Sequence, residues 1–509
     1  MLKSRLGDFL STRGFYFASG LVTLITAILY ISTATTRLTN ANYGSDGGDL
    51  LAAVLTLGIP HPTGYPTYIL IGKLFQLIPL GTPVFRATLE SLLPMALAAG
   101  LLTAWMGHVM ASRSIQTLAG ATLTGLTWGM APLVFSQAVI VEIHGLQSLI
   151  VVIVLWWITL ILDFLRGQNK KWMLGLAFLA GLGFGNHITL ILFIPAVVLA
   201  WIMVLRESGQ WRLVLALVGL LITGLLVYLY LPLRAHAYPA INWGNPQSWS
   251  GFLWEVTGNP YRGFLFSARI PEILERLRSV SSLLWEQFGA LGLVAGAIGV
   301  IQYSFRTKWH RWILAWIFFA FLMFAILYHT TDSVGYLIPA MMMFAIWIGL
   351  AVPAMWSLSW GKIPIGLLLT AILAISILIR VPATRDRVDP RTQDQPARYA
   401  EQLLQNAPYQ SIVYTTTDQD SFPLWYYHFG LRHRPDLRVI VLPLTQFVWY
   451  QQTIVHIYSD LKFPNIYTQD QPNADWGLQI AQLNPGRAVC YTHISAETET
   501  GVAYQCSTP

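Results

Sequence analysis

Long apolar runs, separated by short polar connections, make up most of residues 1–382. A run of about 17–25 apolar residues has the length that crosses a bilayer as an α-helix. About eleven such runs occur, near residues 15–36, 87–110, 118–138, 145–165, 172–185, 188–205, 213–231, 288–305, 312–328, 336–356 and 363–381. The fifth run is shorter than the others. The pattern predicts an α-helical polytopic membrane domain over residues 1–382.

The basic residues of the connections predict how these spans are oriented. Every second connection carries them: Lys3, Arg5 and Arg13; Arg113; Arg166, Lys170 and Lys171; Arg206 and Arg212; Arg306, Lys308 and Arg311; and Lys362. The short connections between them, 139–144, 185–188 and 329–335, contain neither Lys nor Arg. Because cytoplasmic loops are enriched in Lys and Arg, we expect the N-terminus in the cytoplasm and the tail, residues 383–509, outside.

Two longer connections are also expected outside. The first outer connection covers residues 37–86, and the second outer connection covers residues 232–287. Within the first, the pattern of Tyr65–Ile78 predicts an amphipathic helix that lies at or in the membrane interface.

The tail has the pattern of a small α/β domain. Apolar, β-branched runs predict strands at Ser411–Thr416 and Arg438–Leu442, and Arg398–Gln405 is predicted to be helical. Cys490 and Cys506, the two cysteines of the chain, both lie in strand-like runs of the tail. In an oxidising compartment they would bridge a hairpin as a disulfide. Two inert thiols are the alternative.

Composition excludes several classes of protein. Hydrophobic residues make up 55% of the chain and charged residues 11%, whereas an ordinary soluble domain has roughly 25% charged residues. This excludes a cytosolic enzyme, a disordered protein and a disulfide scaffold. The net charge is +7, but residues 1–382 hold 22 Lys/Arg and 12 Asp/Glu, against 9 and 12 in the tail. Because the basic excess lies in short loops of the membrane domain, we expect no nucleic-acid partner.

Polar side chains collect on the side of the membrane that is predicted to be outside. Charged groups in or against the hydrocarbon cost about 2.5–3.5 kcal/mol on insertion scales, so their positions carry information. The candidate site residues are Asp46, Asp49, His61, Tyr65, Glu142, His144, Asn186, His187, Arg234 and Trp243. Their convergence on one side predicts a polar site at the outer surface.

Two acids flank a Gly-Gly pair in the first outer connection. The glycines favour a loop that leads into a helix at Asp49, so Asp49 is predicted to cap that helix while Asp46 is available for chemistry. Glu142 is a supporting acid. His61 stands between two prolines and cannot be helical, which leaves a ligand-binding role or a backbone hydrogen bond.

Structural alternatives exist for other candidates as well. Asn186 and His187 also suit the end of a helix hairpin. Arg234 is also typical of a residue at the membrane interface whose long side chain carries its charge to water. Trp243 also suits an aromatic belt at the membrane surface.

This set of side chains fits a donor that is itself bound to the membrane, such as a polyprenyl-phosphate sugar. One carboxylate would act as general base on an acceptor hydroxyl. His61 and Arg234 suit the leaving phosphate, because imidazole and guanidinium match its oxygens and its developing charge. Trp243 suits stacking on a sugar face. Tyr65, His144, Asn186 and His187 complete the predicted phosphate- and sugar-binding set.

Several blocks of the chain form a recognisable pattern. They are Asp46-Gly-Gly-Asp49, His61-Pro-Thr-Gly-Tyr-Pro66, Arg86, Gln137-Ala, Glu142-Ile-His144, Gly181-Leu, Asn186-His187, Tyr230-Leu-Pro-Leu-Arg234, Asn242-Trp-Gly-Asn-Pro246 and Asp418-Gln-Asp420-Ser-Phe-Pro-Leu-Trp-Tyr426. Together they resemble the GT-C glycosyltransferases, in particular the protein O-mannosyltransferase-like membrane proteins. The resemblance implies a GT-C fold, a polyprenyl- or dolichyl-phosphate sugar donor, and Asp46 as catalytic base. The chain departs from the family pattern at Asp49, which replaces Glu, at Thr63, which replaces the second Pro, and at His144, which replaces Tyr.

The leading functional hypothesis is an inverting membrane glycosyltransferase that moves a hexose, mannose above others, onto a Ser/Thr hydroxyl of an exported protein. A lipid or cell-envelope glycan is the alternative acceptor, and a lipid-linked sugar transporter or flippase is the alternative class. No cofactor is expected. A divalent ion held by Asp46, Asp49, His61 and Glu142 is the open alternative. The predicted location is a plasma membrane.

Overall fold

The computed structural model describes residues 13–110, 112–164, 171–301, 308–330, 332–359, 361, 363–472 and 475–507. Within these ranges nine helices are long and apolar enough to cross a membrane: Gly14–Ile31, Pro83–Val109, His144–Phe164, Ile188–Ser208, Trp211–Ala235, Ile270–Ile301, Trp309–Leu327, Ser333–Trp356 and Ile365–Val388. A tenth span is formed by Ile115–Gly129 and Pro132–Ala138, two helices bent by 61°. The short apolar helix Lys171–Phe184 corresponds to the fifth predicted run. The predicted membrane fold is confirmed, and every predicted run has a helical counterpart.

Burial separates central spans from peripheral ones. In the most apolar part of Pro83–Val109 and Ser333–Trp356, 78% and 83% of the residues are buried, against 17% in Ile365–Val388. Glycines permit close helix crossings in this bundle. A Cβ added at Gly181 would lie 2.1 Å from the carbonyl oxygen of Leu221, which is the close backbone approach typical of membrane helix packing.

The span around residue 290 differs from its prediction. Its helix begins at Ile270, so residues 270–287 of the second outer connection are helical, and the helix is kinked at Gly289, where φ is +64°. Exposed apolar side chains at Ile270, Leu274 and Leu277 follow one another at helical spacing. Residues 302–305 of this predicted run lie outside the described residues. So do the basic residues Lys3, Arg5, Arg166, Lys170, Arg306 and Lys362 used for the orientation.

The outer connections contain short helices. Those of the first are Gly47–Thr56 and Pro66–Phe75, and those of the second are Trp249–Val256 and a 3-10 turn at Asn259–Phe264. Pro66–Phe75 is the helix that the sequence predicts at 65–78. Its Tyr68, Ile69 and Gly72 are buried, while Leu70 and Leu74 are exposed.

The tail is built around a four-stranded sheet, β1 (Ile412–Thr415), β2 (Arg438–Val441), β3 (Val489–Ile494) and β4 (Val502–Cys506), in the order β2-β1-β3-β4. Strand β1 is parallel to both β2 and β3, and β3 pairs antiparallel with β4. The tail helices are Gln395–Asn406, Asp418–Trp425, Val448–Ile457 and Trp476–Leu483. Cys490 lies directly opposite Cys506, and the two form a disulfide. The predicted α/β character is confirmed.

The tail is docked on the outer connections. Arg37 forms ion pairs with Asp394 at 2.9 Å and with Glu401 at 2.7 Å. Gly48 lies so close to the tail that an added Cβ would be 2.4 Å from the carbonyl oxygen of Phe422. The predicted domain boundary between residues 382 and 383 falls inside the helix Val381–Val388.

Candidate active site

A cavity of about 650 Å³ lies where the outer connections meet the tail. Its walls include residues of all three short connections that lack Lys and Arg, namely 139–144, 185–188 and 329–335. These connections therefore lie at the same end of the helix bundle, as their composition predicts. Both longer connections and the tail contribute as well, so the cavity collects most of the candidate site residues.

A buried carboxylate holds the histidine of the site. Asp49 is fully buried, and its Oδ2 accepts hydrogen bonds from the backbone N–H of His61 at 2.9 Å and from Nδ1 at 2.7 Å. Its Oδ1 accepts a bond from Trp243 Nε1 at 3.3 Å. One carboxylate thus ties the loop that carries His61 to the loop that carries Trp243.

His61 in turn faces the acid that the resemblance identifies as the base. Its Nε2 lies 3.7 Å from Asp46 Oδ2 and 3.1 Å from the hydroxyl of Tyr65, which donates to the carbonyl oxygen of Pro62 at 3.1 Å. Burial lowers the pKa of His61, but Asp46 and Asp49 outweigh burial and raise it to about 9. His61 is therefore an imidazolium at neutral pH, with both ring nitrogens donating.

The predicted capping role of Asp49 is wrong. The helix begins at Gly47, so Asp46 occupies the N-cap position and Asp49 is the third residue of the helix, within its first turn. Gly48 is required because the helix start packs against the backbone of Phe422, where a Cβ has no room. Gly48 serves this close approach, and Gly47 is the first residue of the helix rather than part of a loop.

A second polar group lies across the cavity. Backbone bonds to Ser91 Oγ hold Glu142 in place, and its Oε2 accepts the N–H of Ile143 at 3.1 Å. The rings of His144 and His187 both contact the ring of Tyr336, with centroids 6.1 Å and 5.4 Å away. Burial, with the charges of His144 and His61, lowers the pKa of His187 to about 3, so His187 is neutral.

Besides Asp49, which lies behind His61, two candidates are not part of the cavity walls. Asn186 is fully buried and donates to Gln147 Oε1 at 3.1 Å. Arg234 donates from Nε to the carbonyl oxygen of Leu57 at 2.6 Å, at the C-terminal end of the helix Gly47–Thr56. Positive charge is favourable at a helix C-terminus, so Arg234 has a structural task there. The structure does not bring it to the site where a phosphate contact was predicted.

The candidates predicted from the sequence omit two charged residues of the cavity walls and one buried acid outside those walls. Arg262 is the one arginine among the described residues that line the cavity, and Asp418 enters the same cavity from the tail. Glu255 is fully buried, with its carboxyl packed against Gly64 and Gly244, and burial together with Asp49 raises its pKa well above the usual range. Asp418 could have been predicted, because it begins a tail block that resembles the family pattern. Arg262 and Glu255 lie outside all of the family-like blocks, so the sequence offered no reason to choose them.

A divalent ion is the alternative to metal-independent chemistry. In the part of the chain that the structure describes, no three His, Cys, Asp or Glu residues are grouped so that they could hold an ion. Of the four proposed ligands, Asp49 already accepts three hydrogen bonds.

Comparison with known proteins finds similarity in sequence over most of the chain. Residues 46–211 match the model of the protein O-mannosyl-transferase TMEM260 N-terminal domain, and residues 396–476 match TMEM260-associated domain 2. The chain is 23% identical over 459 residues to the protein O-mannosyl-transferase TMEM260 of Mus musculus, covering 83% of this chain and 62% of that protein. The Dictyostelium discoideum protein of the same name is 20% identical over 481 residues, with 83% and 57% covered. The chain thus spans about 60% of the length of these curated relatives.

The fold also matches solved structures. ArnT from Cupriavidus metallidurans superimposes in its apo state with a TM-score of 0.58 at 14% identity, covering 94% of this chain and 93% of ArnT. The same enzyme bound to undecaprenyl phosphate gives a TM-score of 0.54 at 13% identity, covering 95% and 93%. The resemblance expected from the sequence blocks is therefore confirmed. The chain is a multi-pass membrane protein with the GT-C fold, similar over most of its length to the TMEM260 protein O-mannosyl-transferases.

Proposed function

We propose that this chain is a glycosyltransferase that moves a hexose, mannose in the first instance, from a polyprenyl-phosphate carrier to a Ser/Thr hydroxyl of an exported protein. One observation carries the proposal. A single cavity joins the Asp46–His61–Asp49 cluster at the outer end of the bundle to apolar walls formed by membrane spans. The TMEM260 relatives, named as protein O-mannosyl-transferases, support the reaction class.

Asp46 is the proposed general base. Its carboxylate takes the proton of the acceptor hydroxyl while that oxygen attacks the anomeric carbon, and the bond from this carbon to the phosphate oxygen breaks. The polyprenyl phosphate leaves with the bonding electron pair, and a single displacement inverts the anomeric configuration. His61 stays protonated between the two acids, and Asp49 keeps its ring oriented, so Asp46 and the imidazolium form a fixed, preorganised pair.

The donor enters from the side of the apolar walls. These walls comprise Ile191 and Leu192 of the span Ile188–Ser208, Phe324 of the span Trp309–Leu327, and the neighbouring Phe264 and Leu265. Ile191, Phe264 and Leu265 are also partly exposed, which supports the proposal that this wall opens towards lipid. The prenyl chain of the donor is proposed to lie along this wall. ArnT, which shares the fold, has been solved with undecaprenyl phosphate.

Arg262 is the proposed phosphate ligand. It lies beside the apolar wall on the turn Asn259–Phe264, and its Nη2 donates to Thr257 Oγ1 at 2.6 Å. This side-chain bond orients the guanidinium, whose planar set of donors matches phosphate oxygens. His144 and the neutral His187 remain the candidates for hydrogen bonds to the phosphate or the sugar. Trp243 and Tyr65 remain the candidates for contact with the sugar.

The cavity and the tail are proposed to face the outside of a plasma membrane, with the N-terminus in the cytoplasm. The distribution of Lys and Arg along the connections supports this orientation. The acceptor then reaches the cavity as an exported polypeptide, and the lipid donor reaches it from the outer leaflet. No metal ion is proposed to take part.

Removal of the base tests the proposal. Purified protein in proteoliposomes is given polyprenyl-phosphate-[³H]mannose and an exported acceptor protein, and label is followed into protein and lipid fractions. Asp46→Asn is expected to lower transfer by about 10²–10⁴-fold, the usual contribution of a general base. The control is Asp386→Asn, which removes an acid that is 75% exposed on the helix Val381–Val388. Transfer that persists in Asp46→Asn removes Asp46 from the role, and label that enters lipid instead of protein selects the other acceptor class.

A further inference from the structure

The tail contributes a carboxylate to the cavity. Asp418 is the first residue of the helix Asp418–Trp425, and it lines the cavity together with Gln419 and Phe422 from the same helix. The start of this helix is held by Asp420, which is fully buried and accepts the backbone N–H of Thr417 at 2.7 Å. Asp418 is therefore presented from a rigid helix end rather than from a free loop.

The docking of this helix fixes where Asp418 faces. The Phe422 ring is stacked on the His61 ring, with centroids 6.4 Å apart and an interplanar angle of 13°. The backbone of Phe422 packs against Gly48, two residues from Asp46. The helix therefore places Asp418 at the end of the cavity that holds Asp46 and His61.

The charges at this end support that placement. Enclosure by surrounding protein and the charge of Asp46 raise the pKa of Asp418 to about 6, against the opposing effect of His61. The side chain is nevertheless exposed to the open volume of the cavity. Asp418 is thus close enough to Asp46, the proposed general base, to interact with it, and it lines the cavity in which a molecule would bind.

The cavity carries more negative than positive charge. The carboxylates of Asp46, Glu142 and Asp418 line it in the described residues, and Asp49 lies directly behind His61. The opposing cations there are the His61 imidazolium and Arg262. Since Arg262 is assigned to the donor phosphate, the end near Asp418 repels a second anion and attracts a cation.

We propose that Asp418 is an acceptor-binding residue that makes the enzyme prefer polypeptide acceptors with a basic residue beside the accepting Ser or Thr. The inference rests on the proposed transfer to protein and adds which acceptor segments the cavity takes. The carboxylate receives the cation of the acceptor while Asp46 takes the hydroxyl proton. An acidic acceptor meets like charges at the same place and is disfavoured.

A pair of matched acceptor peptides tests the proposal. The two peptides share one Ser/Thr and differ only in having Lys or Glu at the flanking positions. Transfer from polyprenyl-phosphate-[³H]mannose is measured with the full-length protein in proteoliposomes, as kcat/KM for each peptide and as KM for the donor. The variants are Asp418→Asn and, as control, Glu499→Gln, which removes a tail carboxylate that is 93% exposed.

We expect the wild type to prefer the Lys peptide by about tenfold, as a unit charge a few ångströms from a partly solvated carboxylate implies. In Asp418→Asn this ratio is expected to fall towards one, with an unchanged KM for the donor, whereas Glu499→Gln keeps the wild-type ratio. A merely structural role for Asp418 would lower kcat/KM for both peptides by the same factor, and that result overturns the proposal. A wild type that glycosylates both peptides equally also overturns it, while leaving the transferase intact. Failure to label any peptide or protein is instead the failure of the proposed function.

Discussion

The buried acid Asp49 offers the sharpest test of how the site is organised. In Asp49→Asn the side chain keeps its size and loses its charge. We expect transfer to fall by about 30–150-fold and the thermal stability of the protein to fall with it. The reason is that Asp49 orients His61 and Trp243 but does not touch the reacting atoms.

The magnitude follows from the three donors that Asp49 satisfies. His61 donates two hydrogen bonds and Trp243 donates one to the two carboxylate oxygens. An asparagine has one acceptor oxygen and one amide NH₂ donor. Its NH₂ group therefore faces either the indole N–H of Trp243 or the two N–H groups of His61, and no hydrogen bond forms between two donors. Loss of the neutral bond costs about 1 kcal/mol, and loss of charge assistance on the imidazolium bond adds about 1–2 kcal/mol. The total of about 2–3 kcal/mol corresponds to the stated factor in rate.

The pH dependence of stability and transfer is a second test of Asp49→Asn. His61 has a pKa of about 9 in the folded protein, above its ordinary 6.5. The stabilisation from this imidazolium is therefore complete below about pH 6.5 and is lost as the pH rises through about 9. Without the Asp49 charge the pKa of His61 falls, so the alkaline loss of stability and of transfer moves to lower pH.

The assay combines thermal unfolding in detergent with initial rates of mannose transfer, both measured from pH 6 to pH 10. Asp46→Asn is the matched comparison, because it removes the other acid beside His61 and is expected to lower transfer by about 10²–10⁴-fold with a smaller loss of stability. The assigned role of Asp49 is refuted if Asp49→Asn keeps the wild-type rate of transfer and loses stability and activity at the same alkaline pH as the wild type.

Two further substitutions separate structural from ligand-binding roles. Arg262→Gln is expected to raise the KM for the lipid donor by about tenfold with little change in unfolding temperature, because it removes a charged phosphate contact. Arg234→Gln is expected to lower the unfolding temperature with little change in the donor KM, since Arg234 binds the carbonyl oxygen of Leu57. A donor KM that rises only in Arg234→Gln contradicts both assignments. Gly48→Ala would place a Cβ 2.4 Å from the carbonyl oxygen of Phe422, so we expect a lower unfolding temperature and about 1–3 kcal/mol of lost stability. Gly47→Ala is the milder control, because its nearest neighbour would be the Val141 side chain at 3.2 Å. Equal unfolding temperatures of the two variants would contradict the predicted docking of Gly48 on Phe422.

The membrane architecture was predictable from the sequence to within a few residues at most helix ends. Lipid leaves no partner for backbone N–H and C=O groups, so a crossing segment is expected to be an apolar helix. The pair Ile115–Gly129 and Pro132–Ala138, bent by 61°, departs from a continuous helix. The fifth run illustrates the limit of this rule, because Lys171–Phe184 is helical but too short to span by length alone. The helical stretch 270–287 was not expected, because its charged residues interrupt the apolar run that marks a span.

The membership of the site was predictable in part. His61, Tyr65, Glu142, His144, His187 and Trp243 all line one cavity with Asp46, as their side of the membrane suggested. Arg234 and Arg262 show where such reasoning ends. Both are arginines of the same outer region, and nothing in their local sequence separates the one that binds a helix end from the one that lines the cavity.

The difference has a physical origin in the range of the interactions. Hydropathy and loop charge act on each segment separately against lipid and water, so they can be summed along a short stretch of chain. Trp243 and Asp49 are 194 residues apart, and the contact of Gly48 with Phe422 joins the first outer connection to the tail. Such partners are chosen only when the helices pack and bring distant loops together. The bilayer therefore dictates the spans, whereas packing decides which carboxylate holds His61 and which arginine reaches the cavity.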